Sequence, residues 1–282
     1  MIASKRYVSL ALCLFFVVAS CTQRTSAPGK TMDTVIVVSE SSQLLLTDAE
    51  LDAETSSIKG TEELFDDFLY NYIQDTIMQR ERVVFPLNEK WPDGSSRQIS
   101  EAEWSKDFYF AKADYTTALY NNEAEMTINE DTAVQNASVE KIDLEQETIT
   151  VYDFVRHNDM WNLISIRNMR FADSDLMDFL QFYARFASDE SFRYRSLPRS
   201  IHICMPDPDD ESQSIDGFIS REQWPTIAPV LPEGTIMNIR YGQRYLHSKR
   251  ILMEKTSMGD GMSEVFSFAK GSRGWELVGY EN

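Results

Sequence analysis

The chain of 282 residues carries 45 acidic against 27 basic side chains, a net charge of −18, with 43% hydrophobic and 12% aromatic residues. That hydrophobic content supports a folded core of one large or two ordinary domains and excludes a disordered chain. The acidity excludes nucleic acid and anionic lipid surfaces as natural partners, because like charge repels both, and it favours neutral or cationic ones.

The first element is an export signal. Lys5 and Arg6 precede an apolar run, Val8 to Val18, too short to span a bilayer comfortably. It ends in Val18-Ala19-Ser20-Cys21, which resembles the lipobox of bacterial lipoproteins. The resemblance implies cleavage after Ser20, a diacylglyceryl group on the Cys21 thiol and an acyl chain such as palmitate on the new amine. Several chains make a stable anchor at about 0.8 kcal/mol per buried methylene. Loss of Lys5 and Arg6 takes the mature charge to −20. Thr22 after the lipid-bearing cysteine resembles sorting to the outer membrane, and no acidic run follows Cys21 directly. The expected place is therefore the cell envelope, at the outer membrane, facing the periplasm.

Residues 21–60 read as the lipidated cysteine and a tether rich in Ser, Thr and acidic residues, with apolar patches at Val35–Val38 and Leu44–Leu46. Thr47-Asp48-Ala49-Glu50 fits a capping box for a short helix.

The body holds an internal repeat, predicted as 61–171 and 172–282. Phe65, Phe68, Leu69, Tyr72 and Ile73 form a helical apolar stripe, and Leu176, Phe179, Leu180 and Tyr183 repeat it 111 residues later. Thr61 is the expected N-cap of the first helix, Asp173 or Ser174 that of the second. Ser100-Glu101-Ala102-Glu103-Trp104 and Ser220-Arg221-Glu222-Gln223-Trp224 each read as a capping box followed by an aromatic plug on a short helix. Two β-rich runs then close each half, Val151–Phe154 with Trp161–Ile164 and Val265–Phe268 with Trp275–Val278, at an offset of 114. The predicted class is α+β: two tandem cone-shaped domains, each a long helix on a curved antiparallel sheet. This order, with the lipobox and both Ser-x-x-Glu/Gln-Trp blocks, resembles an uncharacterised Bacteroidetes lipoprotein family with two nuclear-transport-factor-2-like domains. The resemblance implies fold and place, and no chemistry.

Candidate chemistry is sparse. Asp66, Asp67 and Asp178 lie on the long helices beside apolar-stripe residues; they read as solvated, with a general base as the alternative. His157, His202 and His247 are scattered, and no zinc spacing occurs, so neither metal nor cofactor is expected. Cys204, the lone body cysteine once Cys13 is cleaved and Cys21 acylated, reads as core, with a Cys204–His202 pair as the alternative. The acidic run Asp207–Glu211 lacks the central Gly of a calcium loop and reads as solvated. The aromatic residues Tyr70, Phe182, Phe186 and the repeat tryptophans read as packing, with a lined pocket as the alternative. Thr34 and Thr132 match an Asp-Thr-aliphatic/small pattern resembling Bacteroidetes O-glycosylation sites; Thr76 matches it within a helix. The sequence thus supports a tethered protein binding a small molecule or an envelope partner without catalysis. The alternative is an isomerase, dehydratase or hydrolase using an interior carboxylate of one cone.

Overall fold

The computed structural model describes residues 63–105, 113–207 and 210–282, the side chains of 210–212 excepted. The signal segment, the tether, Thr34 and Thr61 lie outside these residues. The elements run α1 (Phe65–Gln74), α2 (Thr76–Glu81), β1 (Val83–Lys90), β2 (Ser96–Ile99), β3 (Tyr115–Tyr120), β4 (Asn136–Asp143), β5 (Thr148–His157) and β6 (Met160–Arg170). A second run follows: α3 (Met177–Ser188), α4 (Glu190–Arg195), β7 (Ser200–Asp207), β8 (Asp210–Ser220), α5 (Trp224–Ile227), β9 (Thr235–Arg240), β10 (Arg250–Ser257), β11 (Ser263–Gly271) and β12 (Gly274–Glu281). No helix among the described residues is long and apolar enough to cross a membrane.

The stripes predicted from the sequence are the buried faces of α1 and α3. Their caps differ from expectation. Leu64 precedes α1 and offers no side-chain cap. Before α3 a 3-10 turn intervenes, so Asp173 accepts the Arg170 N–H and Ser174 Oγ accepts from Leu176 instead. The side-chain caps stand one helix later. Asp75 accepts from Ile77 at 2.7 Å to start α2, and Asp189 accepts from Phe192 at 2.9 Å to start α4.

The Ser100 block forms a turn, not a helix: Glu103 accepts both the Ser100 N–H (2.9 Å) and its hydroxyl (2.6 Å). Gln223 likewise accepts the Ser220 N–H, and there α5 does follow. Trp104 packs half-buried on Phe85, and Trp224 is buried against Tyr280. Both terminal runs are hairpins. Asn158 and Asp159, with φ of 51° and 60°, make the two-residue turn of β5–β6, whose twist matches that of the strands.

The sheet order is β2-β1-β6-β5-β4-β9-β3-β10-β11-β12-β7-β8, twelve strands in one curved sheet with few helices. This order is palindromic if the first six strands are matched to the last six. The sequence boundary at 171/172 falls between β6 and α3, but the sheet passes through it. β9 of the second run adds to β4, and β3 of the first adds to β10. Each half thus receives its sixth strand from the other, and β3 and β9 meet as a parallel pair at the seam.

The seam strands are buried on both faces. Successive residues of a strand point to opposite faces. Ile236 joins the core of α3, whereas Met237 and Ile239 join that of α1. The two helices therefore cover opposite faces of the sheet where the halves meet. Each core is an aromatic cluster: Phe65, Phe68, Tyr72 and Phe154 around α1, and Phe179, Tyr183, Phe186 and Phe268 around α3. Trp161 and Trp275 sit at the same hairpin position in each half. The Trp161 indole donates to the Glu63 carbonyl at 3.0 Å, that of Trp275 to Asp178 at 3.3 Å.

Candidate functional site

Two cavities among the described residues differ in how their charges are balanced. The larger of the two, about 750 Å³, opens at the N-terminus of α3 beside Asp178, His247, Lys270 and Trp275. Its carboxylates already hold cations: Lys270 bonds Asp178, and Arg240 bonds Asp175 at 2.7 Å. A cavity of about 480 Å³ beside α1 is different. Asp66, Glu254, Tyr120 and Tyr241 line it, with Thr116, Asn129, Leu69, Ile239 and Met258.

Each of these groups is placed by a different element. Asp66 lies in the first turn of α1, where a carboxylate suits the helix dipole. It stands three and seven residues before the buried Leu69 and Ile73, which turns it inward. The Tyr241 hydroxyl donates to Asp66 Oδ1, and Asn129 donates to Oδ2 at 3.2 Å. Tyr241 directly follows β9 and is aimed by the turn at Gly242, whose φ of +88° disfavours any side chain. Gln243 Oε1 accepts the Tyr241 N–H there at 2.6 Å. On the paired strands β3 and β10 the Tyr120 hydroxyl donates to Glu254 Oε2 at 3.2 Å.

Burial pushes Asp66 above the ordinary carboxylate range, against the hydrogen bonds from Tyr241 and Asn129. Burial also raises Glu254; the Tyr120 bond opposes this, and the nearby Asp66 charge adds to it. Burial and the neighbouring carboxylates push both tyrosine hydroxyls well above their ordinary value, so they stay protonated donors. A carboxyl whose pKa is raised on folding favours the fold below its unfolded pKa and loses that contribution as pH rises through the folded value. Glu254→Gln, which keeps an acceptor for Tyr120, is therefore expected to unfold at higher urea than wild type at pH 8. The gap should close toward pH 4. A gap that stays constant with pH would contradict the raised Glu254.

The matching position on β4 carries the mirror of this site in different chemistry. Glu140 stands opposite Asn238 and Ser138 opposite Arg240; Glu254 stands opposite Ala118 and Leu252 opposite Tyr120. Glu140 and Glu254 thus hold one register position, and Arg240 and Tyr120 another. The Arg240 guanidinium reaches Glu140 at 3.4 Å and Asp175 at 2.7 Å, and Asn238 donates to Glu140 at 2.8 Å. Burial still raises Glu140, although Arg240 opposes it.

The residues singled out in the sequence are spread across the molecule. Asp67 and Asp178 are exposed, as expected, and each borders a cavity; Asp66 is not on a solvated face but half-buried in the cavity beside α1. His202 and Cys204 share β7, but the His202 ring bonds Asp216 at 2.7 Å. Asp207 and Asp210 pair at the β7–β8 tip, where 208–209 lie outside the described residues. No group of three or more His, Cys, Asp or Glu among the described residues could hold a metal. Thr132 is exposed in a turn, its carbonyl accepting from Arg156; Thr76 is exposed at the start of α2. Sequence reasoning missed Glu254 and Glu140. A signal was present: Glu140-Lys141 and Glu254-Lys255 recur at the same offset of 114 as the hairpins, and each acid interrupts an apolar strand.

The α+β architecture, one curved sheet with long helices on its faces, is that of an NTF2-like protein. A crystal structure of an NTF2-like protein from Bacteroides fragilis is similar at 31% identity and a TM-score of 0.71, covering 79% of this chain and 96% of that one. The chain belongs to the DUF4348 family, described as a domain of unknown function, which it matches over residues 46–282. The comparison with curated proteins gives no match.

Proposed function

We propose that this chain is a lipid-anchored protein of the cell envelope whose interior cavity beside α1 binds a small molecule without transforming it. The observation that carries the binding reading is the cavity itself. About 480 Å³ lies within the range of small-ligand sites, and its walls mix apolar side chains with a few convergent polar groups. The lipobox resemblance at Cys21 supports the anchor, and Thr22 with no acidic run following Cys21 supports the outer-membrane, periplasm-facing place; the tether would let the body stand clear of the bilayer. The palindromic strand order supports a tandem duplication of an NTF2-like unit, 61–171 and 172–282, in which the halves exchanged one strand.

The anchor has a direct test. Cells fed labelled palmitate are expected to label the wild-type chain and not Cys21→Ser, which should move from the membrane to the soluble fraction. The intact mass of the wild type should equal the chain from Cys21 plus its acyl groups; further mass would locate glycan, with Thr34 and Thr132 as the sites to substitute. Label retained by Cys21→Ser would overturn the anchor. Release of the body by protease added to intact cells would overturn the periplasmic orientation.

A second reading, an isomerase, dehydratase or hydrolase, is favoured by one observation. Asp66 and Glu254 have raised pKa values and tyrosine donors, the properties of a general acid–base pair. Turnover of any compound that Asp66→Asn abolishes while leaving the fold intact would replace the binding reading with this one.

A further inference from the structure

The two halves of the molecule solve the same electrostatic problem in two ways. A glutamate sits on the fourth strand of each half, facing inward beside the strand received from the other half. In one half the Glu140 carboxylate meets a cation, the Arg240 guanidinium at 3.4 Å, which also takes Asp175. In the other half the register position of Arg240 is filled by Tyr120, a neutral donor. Asp66, the second carboxylate there, likewise has only neutral donors, Tyr241 and Asn129. No Lys, Arg or His among the described residues lines this cavity. Two partly buried carboxylates therefore face one space, repelling each other, without a counter-charge.

An independent observation points the same way. Thr116 is 8% exposed and lines the cavity on the strand face shared with Ala118 and Tyr120. No described residue hydrogen-bonds its hydroxyl. That hydroxyl opens on the cavity and is free to bond a group that enters it.

We infer that the cavity beside α1 takes the ammonium group of a small primary amine, with Asp66 and Glu254 supplying the counter-charge that Arg240 supplies in the other half. This deepens the binding reading proposed above and rests on it. An ammonium brings three N–H donors, which match carboxylate oxygens that now accept from neutral groups alone. Tyr120 and Tyr241 present aromatic rings beside it. The apolar wall formed by Leu69, Ala118, Ile239 and Met258 receives a short carbon chain. An amine bearing its own carboxylate, such as a free amino acid, adds a further negative charge to the same space and is rejected.

The test uses the full chain in titration calorimetry at pH 7.5 with three matched series: n-alkylamines of two to six carbons, the alkanols of equal length and the alkanoates. The amines are expected to bind saturably, with at least tenfold weaker affinity in Glu254→Gln and in Asp66→Asn. Alkanols and alkanoates are expected not to bind. Tyr120→Arg, which recreates the Arg240 arrangement beside Glu254, should abolish amine binding. Circular dichroism and melting identify the variants that fold, and the two isosteric carboxyl substitutions serve if Tyr120→Arg does not. Saturable binding of alkanols as tight as that of amines, or amine binding unchanged in both carboxyl variants, overturns the amine assignment and leaves a binding cavity. A folded chain that binds none of the three series overturns both readings.

Discussion

Replacing Arg240 by methionine is expected to destabilise the protein by about 3–5 kcal/mol at neutral pH, the range for breaking a buried ion pair from one side. The reason lies in what stays behind. Glu140 is 4% exposed and stands between Asn238 and Arg240 on the seam. With the guanidinium gone, Asn238 is its remaining described hydrogen-bond donor, and the charge is no longer compensated. Asp175 loses its 2.7 Å partner as well, and Tyr245 loses a cation stacked 4.8 Å from its ring centre. Burial raises Glu140 even with Arg240 present, and without it the pKa rises further. The defect is therefore largest well above the ordinary carboxylate range and shrinks on acidification, as the carboxyl becomes neutral. Urea unfolding at pH 8 and pH 5 reads this, and Arg240→Met with Glu140→Gln should recover most of the loss at pH 8. A loss equal at both pH values, or one that Glu140→Gln does not relieve, would mean that Arg240 acts through packing alone.

Phe268→Ala is expected to cost a similar amount, about 3–5 kcal/mol, at any pH. Phe268 on β11 is fully buried, and four rings of α3 converge on it: Phe179, Phe182, Tyr183 and Phe186, with centroids 5.3 to 6.0 Å away. Most of these contacts are edge-on, a geometry that adds to the simple burial of apolar area. Alanine leaves a void that rigid aromatic neighbours on a helix and a sheet cannot close. The corresponding ring of the first half is Phe154, 114 residues earlier and packed on Phe65, Phe68 and Tyr72. Chemical unfolding of Phe268→Ala checks the magnitude. It also reports cooperativity: because β3 and β9 are exchanged, the two halves should lose structure in one transition. Retention of first-half signals, such as Trp161 fluorescence, after the second half has unfolded would contradict that coupling.

The elements of this protein were legible in its sequence because they depend on local periodicity. The stripe Phe65, Phe68, Leu69, Tyr72, Ile73 specifies a helix and its buried face wherever that helix packs. The hairpin at Asn158-Asp159 follows from residues that tolerate positive φ between β-rich runs. The repeat at offsets of 111 to 114 was legible too, since the same residue types recur there at the same spacings. Helix starts were less so. The Asp173 and Ser174 side chains bonded within a 3-10 turn, and a local competition of that kind turns on one or two hydrogen bonds. The Ser100 block looked like its partner at Ser220, yet only the second leads into a helix; Pro225 at the first turn of α5 favours that start.

What the sequence by itself determined is the two long helices with their apolar faces, the closing hairpins, the acidic charge and the recurring spacings, all properties of neighbouring residues. Only the tertiary structure decided which half each sixth strand joins, and with it the candidate site. Asp66 meets Tyr241, 175 residues away, and Tyr120 meets Glu254, 134 residues away. No periodicity encodes that β9 pairs with β4 rather than with its own half. Strand pairing across such distances depends on which hydrophobic faces can be covered together, a property of the whole packed sheet. Placing Tyr120 where the other half has Arg240 is what leaves two carboxylates facing an open cavity without a cation.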